Sequence, residues 1–136
     1  MDMTEKKSLT PERRTFPKGS VIFREGEIGD RAYLLQQGSV RIFKTVAGKK
    51  VTIGRVLPFQ VFGELSMMDD SPRMAGATAD DDVVCLVLEK ASIRAMMEQA
   101  PPGLNNLLMS LLSSMRSMGK ELADAKAMLQ ENGIES

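Results

Sequence analysis

The chain has 136 residues, with 18 basic and 18 acidic side chains, one Cys, eleven Met, no Trp and no His. Without His there is no Ser-His-Asp or Cys-His catalysis and no His-ligated zinc, and a single Cys cannot build an internal disulfide framework. Zero net charge argues against a general nucleic-acid binder, and no stretch reaches the roughly 18 apolar residues that span a bilayer, so we expect one cytoplasmic domain without nucleic-acid or membrane partners.

The first 89 residues divide into a polar start and a strand-rich region. Residues 1–15 are polar and of mixed charge, which predicts a flexible arm or a short helix. Strands are then predicted at 21–23, 32–36, 40–43, 51–57 and 83–88, separated by Gly and Pro turns. The run at 83–88 is continuously apolar, which is typical of a strand buried on both faces and places Cys85 in the core. Strands at this spacing predict a sandwich, a barrel or a roll.

Beyond residue 90 the apolar pattern becomes helical. A short helix is predicted over 91–99 and is broken by Pro101-Pro102-Gly103. The next apolar residues follow alternating steps of four and three: Leu104, Leu108, Leu111, Met115, Met118, Leu122, Ala125 and Leu129. This heptad seam predicts a long helix that packs on its own domain first and on a second chain further along, giving a homodimer. The alternative is an amphipathic helix that covers only its own domain.

The segment between residues 56 and 89 holds seven acidic residues and one basic residue, Arg73. Gly63 lets the backbone approach a ligand, and residues 64–68 are expected to form one or two helical turns whose N-terminal amides attract phosphate. Pro72 stiffens the return, and the Arg73 guanidinium can bind phosphate oxygens. The Glu64 carboxylate can accept a hydrogen bond from a sugar hydroxyl, which indicates a ribose-phosphate site. The alternative, a surface salt bridge between Glu64 and Arg73, is worth about 0–1 kcal/mol and does not explain Gly63.

The sequence FGELSMMDDSPRMAGATA at 62–79 resembles the phosphate-binding cassette of cyclic nucleotide-binding domains. The resemblance extends over about residues 16–118 and includes the opening FPKGSVIFREGEIGDRAYLLQQGSVRIF. It implies a mainly β domain, an antiparallel β-roll of jelly-roll type, with a short phosphate-binding helix and a long C-terminal helix. The β-roll is expected over 16–100 and the helix, acting as lid and dimer seam, over 101–132, followed by a tail at 133–136.

The resemblance also implies roles for individual residues. Arg73 is expected to pair with the cyclic phosphate, Glu64 to accept from the ribose 2′-hydroxyl, and the amides around Gly63, Leu65 and Ala75 to complete the cradle. Base contacts are expected from the strand at 51–53 and from one of Ser110, Ser113, Ser114 or Ser117. The full predicted ligand set is Ile53, Phe62, Gly63, Glu64, Leu65, Ser66, Pro72, Arg73, Met74 and Ala75.

Two residues depart from the family pattern. Met74 follows the arginine, where the family uses a hydroxyl to favour guanine, so cyclic AMP is expected over cyclic GMP. Phe59 stands where Gly is common, and it either packs on the core or changes the pocket entrance. We therefore expect a regulatory module, neither an enzyme nor the holder of a resident cofactor or metal, in which a cyclic nucleotide repositions the C-terminal helix. Residues 119–136 are too short for a helix-turn-helix, so the effector is expected on a partner chain. The alternative is a scaffold of the same fold that binds no nucleotide.

Overall fold

Two antiparallel four-stranded sheets enclose the core in the computed structural model, which describes residues 12–64, 66 and 70–131. The strands are β1 Glu12–Phe16, β2 Val21–Phe23, β3 Arg31–Gln37, β4 Val40–Val46, β5 Lys49–Val56, β6 Val61–Phe62, β7 Gly76–Ala79 and β8 Val83–Glu89. One sheet has the order β1-β8-β3-β6 and the other β2-β7-β4-β5. Two helices follow β8, α1 Lys90–Glu98 and α2 Pro102–Glu131. The predicted β-roll with a long C-terminal helix is confirmed.

The core lies between the sheets and takes buried apolar residues from both of them. Its buried members are Phe23, Tyr33, Leu35, Val40, Val56, Phe62, Ala77, Ala79, Val83, Cys85 and Val87. The rings of Tyr33 and Phe62 stack with centroids 5.3 Å apart, and Phe23 stacks on both. This stack joins β2 of one sheet to β3 and β6 of the other.

Strand β8 is buried on one face only. Val83, Cys85 and Val87 are buried, whereas residues 84, 86 and 88 between them are half-buried. The prediction of burial on both faces is therefore wrong, because an antiparallel sheet of this kind directs alternate residues to the core and outward. The predicted core position of Cys85 is confirmed, and burial raises the pKa of its thiol to about 11.

Residues 12–15, which the sequence pattern assigned to an arm, belong to β1. This strand pairs with β8 in a register that runs from Glu12 opposite Val87 to Phe16 opposite Val83. It is an edge strand rich in charge, so it lacks the apolar alternation that marks the inner strands. The remainder of the predicted arm, residues 1–11, and the tail with residue 132 lie outside the described residues.

Two further strands carry no strong sequence signal. β6 has two residues, and β7 consists of small side chains, GATA. A Cβ on Gly76 would lie 2.6 Å from Cζ of Phe43 on the neighbouring strand β4. Small residues are therefore required at the start of β7 because the Phe43 ring occupies the space beside it.

Helix α2 packs on β4 and β5 with a different face from the one expected. Its buried residues are Leu112, Ala123 and Ala127. The heptad seam lies about one residue, or 100°, around the helix from this face. Its exposed fractions run from 37% to 59% at Leu104, Leu111, Met115, Met118, Leu122 and Leu129. Packing of α2 on its own domain therefore continues along the helix as far as Ala127, on a face beside the seam, and pairing of the seam with a second chain stays a prediction. Neither helix in the described ranges is long and apolar enough to cross a membrane.

Candidate functional site

A cavity of about 190 Å³ brings most of the predicted ligand set together. Its lining residues are Phe23, Ile42, Val56, Val61, Phe62, Gly63, Glu64, Ser66, Arg73, Met74 and Ala75. Of the predicted set, Pro72 and Ile53 do not line the cavity, and Leu65 lies outside the described residues. The four apolar strand residues Phe23, Ile42, Val56 and Val61 were missed, because as ordinary core-type residues they carry no chemical signal in the sequence.

The Arg73 side chain is a buried cation whose hydrogen-bond acceptors are uncharged carbonyl groups. It is 6% exposed, Nη1 donates to the Gly63 carbonyl at 2.7 Å, and Nη2 donates to the Arg31 carbonyl at 2.8 Å. Its guanidinium carbon lies 4.1 Å from the centroid of the Phe23 ring. Burial lowers the pKa of Arg73, yet a guanidinium remains charged at neutral pH. A buried charge is costly unless it is paired, so this side chain is suited to an anionic ligand.

Two glycines make the space that the Arg73 side chain occupies. A Cβ on Gly29 would overlap the guanidinium group, and a Cβ on Gly63 would lie 2.8 Å from Nη1. The loop after β2 also holds the Arg73 backbone from both sides. Arg73 N donates to Glu27 O at 2.8 Å, and Gly26 N donates to Arg73 O at 2.8 Å. The Gly26–Gly29 turn, which the sequence marks only as a turn, therefore positions the arginine.

Two polar atoms of cavity-lining residues are buried without a hydrogen-bond partner among the described residues. They are Nε of Arg73 and Oγ of Ser66, and Ser66 is only 2% exposed. Buried donors are nearly always paired in folded proteins. A guanidinium N–H and a hydroxyl on the same cavity suit a ligand with several acceptor oxygens, such as a phosphate.

Glu64 adds a half-buried carboxylate beside this cation. The ion pairs of the described residues do not include one between Glu64 and Arg73, so the alternative of a structural salt bridge is wrong. Burial raises the pKa of Glu64, while a hydrogen bond from its own backbone and the charge of Arg73 oppose the rise. A desolvated carboxylate without an ion pair among the described residues is a strong acceptor for a ligand hydroxyl.

Met74 connects the cavity to helix α2. Its carbonyl accepts a 2.7 Å hydrogen bond from Lys44 Nζ, which also pairs with Glu25 at 3.0 Å. Its side chain reaches α2 at Gly119, where an added Cβ would overlap Cε of Met74 and lie 3.6 Å from its sulfur and 4.0 Å from Cδ1 of Ile53. Ile53 thus lies next to the same helix contact.

The four serines proposed for base contacts are not brought to the cavity. Ser110, Ser113, Ser114 and Ser117 are exposed on α2 and do not line it. Phe59 is 82% exposed at φ 74°, so its ring does not pack on the core. The positive φ explains why glycine suits that position.

Asp70 connects the middle of the cassette segment to α1. Its carboxylate forms ion pairs with Lys90 and Arg94, and the hydrogen bonds from these two side chains hold the pKa of Asp70 below its ordinary value. Asn105 at the start of α2 in turn donates to the Met97 carbonyl at 3.0 Å. The cassette, α1 and α2 are therefore linked by consecutive polar contacts. Over the part of the chain that the structure describes, no cluster of three or more acidic, Cys or His residues is placed to hold a metal ion.

Comparison with known proteins identifies a domain family. The family model for the cyclic nucleotide-binding domain matches residues 13–100. A cyclic AMP receptor protein of Thermus thermophilus is 34% identical over 82% of this chain and 52% of its own length. A cAMP-dependent protein kinase regulatory subunit of Candida albicans is 33% identical over 71% of this chain and 21% of its own length. The chain thus spans about half the length of the bacterial relative.

Solved structures show the same fold. The EAL enzyme Bd1971 in its cAMP-bound form superposes with a TM-score of 0.75 at 25% identity, over 88% of this chain and 32% of that protein. Its cGMP-bound form gives a TM-score of 0.73 at 27% identity, over 77% of this chain and 28% of that protein.

Proposed function

The chain belongs to the cyclic nucleotide-binding domain family, and from that premise we propose that it is a regulatory module that binds cyclic AMP in the cavity beside Arg73. One observation carries the proposal. Arg73 is a buried cation held by two carbonyls and an aromatic ring, and among the described residues it has no ion-pair partner and its Nε has no acceptor. A bound phosphate supplies the missing charge and acceptor oxygens.

The remaining cavity residues complete the binding mode. The Ser66 hydroxyl donates a second hydrogen bond to the phosphate, together with the backbone amides near Gly63, Leu65 and Ala75. The Glu64 carboxylate accepts from the ribose 2′-hydroxyl, because it is desolvated and has no ion pair with another described residue. Apolar side chains of β2, β4 and β5 supply the surface against which the rest of the nucleoside packs.

The preference for cyclic AMP over cyclic GMP rests on Met74. A thioether offers no hydroxyl to the amino group of guanine. Two relatives are named for cyclic AMP, but Bd1971 has been solved with either nucleotide, so similarity alone favours neither. Calorimetric titration of the whole chain with cyclic AMP, cyclic GMP and non-cyclic AMP tests the proposal. We expect the tightest binding for cyclic AMP and the weakest for the non-cyclic form.

We further propose that the output passes through α2 to a second copy of the chain and to an effector on another protein. All the seam residues except Leu108 are exposed in the single chain, and an apolar stripe of this length is typical of a helix that pairs with another. The ligand shifts α2 because it gains contacts in only one position of that helix. The relatives are named as receptor and regulatory proteins, which supports a module without catalysis of its own.

A non-binding scaffold of the same fold is the second candidate, and Met74 is the observation that favours it. The Met74 side chain is half-buried, reaches α2 at Gly119 and lines the same cavity as Arg73. In that case the titration gives no heat with either cyclic nucleotide, while the dimer through α2 persists. The two candidates are thus separated by one experiment.

A further inference from the structure

Met74 is the cavity-lining residue whose side chain is seated against Gly119 of α2. Gly119 itself does not line the cavity. An added Cβ at Gly119 would overlap the terminal methyl of Met74. Glycine in the interior of a helix lowers helix stability relative to alanine. Glycine at residue 119 therefore leaves the space in which the Met74 methyl lies against α2.

The contact lies on the side of α2 that faces the domain. Gly119 precedes Ala123 and Ala127, both buried, by one and two turns on the same face. Small residues there let α2 lie close to β5, and Ile53 of β5 comes within 4.0 Å of the position of a Cβ at 119. The end of the Met74 side chain therefore lies between helix α2, strand β5 and the cavity.

We propose that Met74 couples occupancy of the cavity to α2, with Gly119 as the socket for its thioether. The proposal rests on the proposed function, since it concerns regulation of the same cavity. A nucleotide beside Arg73 needs the Met74 side chain to stay in the socket, and its flexible thioether can move either toward α2 or into the cavity. The residue at position 119 therefore sets the affinity of a cavity that it does not line.

The direction of the effect follows from the packing. A methyl group at residue 119 fills the socket and displaces the Met74 methyl toward the cavity, which weakens nucleotide binding. The fold is retained, because the atom that must move is the end of a flexible side chain and alanine is the better helix former. Gly103→Ala is the matched control, since it lies on the same helix and a Cβ there meets no atom within 4 Å.

Calorimetric titration with cyclic AMP tests the proposal on wild type, G119A, M74A, the double variant M74A/G119A and G103A. We expect G119A to weaken binding by about threefold or more, G103A to leave it within about twofold, and G119A to have less than about a twofold effect when Met74 is already alanine. Thermal melts are expected to show every variant folded.

Three outcomes overturn the proposal. If G119A binds as G103A does while wild type binds well, the coupling fails and the proposed function stands. If the weakening by G119A persists unchanged in the M74A background, Met74 is not the coupling residue. If wild type binds neither cyclic nucleotide, the proposed function fails and the coupling fails with it.

Discussion

Nη1 of Arg73 donates a hydrogen bond of 2.7 Å to the carbonyl oxygen of Gly63, and a Cβ on Gly63 would lie 2.8 Å from that same nitrogen. The backbone at residue 63 therefore serves as acceptor and also leaves the space for the guanidinium. Its φ of 80° is in the left-handed region that favours glycine. Gly63 thus meets two requirements at once.

Gly63→Ala is expected to destabilise the fold and to weaken nucleotide binding. The control is Gly48→Ala, because Gly48 has the same φ of 80° but a Cβ there meets no atom within 4 Å. Both variants are expected to lose about 1–2 kcal/mol of unfolding free energy through backbone strain. Only G63A is expected to lose affinity for cyclic AMP, by about tenfold, as measured by denaturation and calorimetry. Equal affinity of the two variants would show that the contact with Arg73 has no role in binding.

Glu64→Gln is expected to separate stability from binding. Burial raises the pKa of Glu64 above its ordinary 4.5, so the folded state favours the protonated form. Its contribution to the unfolding free energy is therefore greatest below pH 4.5 and falls as pH rises through the raised pKa. At pH 7 the E64Q variant is expected to be at least as stable as wild type.

The affinity of E64Q for cyclic AMP is expected to fall by about tenfold or more, since a hydrogen bond to a charged group contributes about 1.5–3 kcal/mol. Glu98→Gln, at an exposed position of α1, is the control and is expected to change neither quantity. Stability curves against pH and titrations at pH 7 measure both effects. Lower stability of E64Q at neutral pH would contradict the burial argument.

Met74→Thr is expected to raise the affinity for cyclic GMP relative to cyclic AMP by roughly 2- to 10-fold, because a hydroxyl adds one neutral hydrogen bond to guanine. Met74→Ala removes the same thioether without adding a hydroxyl and is the matched control. Competition between the two nucleotides on each variant gives the ratio directly. An identical ratio for M74T and M74A would refute the role assigned to residue 74 in base selection.

Leu111→Glu is expected to abolish the proposed dimer. Leu111 is 53% exposed on the seam, and a charge there opposes the pairing of two apolar stripes. Ser117→Glu adds the same charge at an exposed position off the seam and is the control. Light scattering over a concentration series is expected to show dimers for wild type and S117E and monomers for L111E. A wild-type chain that stays monomeric with and without cyclic AMP would rule out the seam.

The sequence located strands β2, β3, β4, β5 and β8, both helices and the cassette because each has a strong local signal. Alternating apolar residues mark β4 and β5, Pro101-Pro102 separates the helices, and the order of Gly, Glu and Arg is specific. The charged edge strand β1 and the small-residue strand β7 have no such signal. Their positions depend on pairing with β8 and on the Phe43 ring, which are contacts between distant parts of the chain.

The environment of the arginine could not be predicted for the same reason. Phe23 and Gly29 contact Arg73 from residues more than forty positions earlier in the chain, and neither residue type indicates a phosphate site by itself. The heptad pattern identified the apolar seam of α2, but it could not tell which neighbouring face the domain buries. The buried face includes small residues such as Ala123 and Ala127, and a pattern of large apolar residues does not reveal them.

The affinity of Arg73→Ala for cyclic AMP, measured by calorimetry beside wild type and Arg41→Ala, tests the central claim most directly. Arg41 is half-buried and pairs with Asp80 outside the cavity, so its removal controls for the loss of one positive charge. We expect R73A to remain folded and to bind about 100-fold more weakly than wild type, and R41A to bind within about twofold of it. A folded R73A variant that binds cyclic AMP as tightly as R41A would contradict the account.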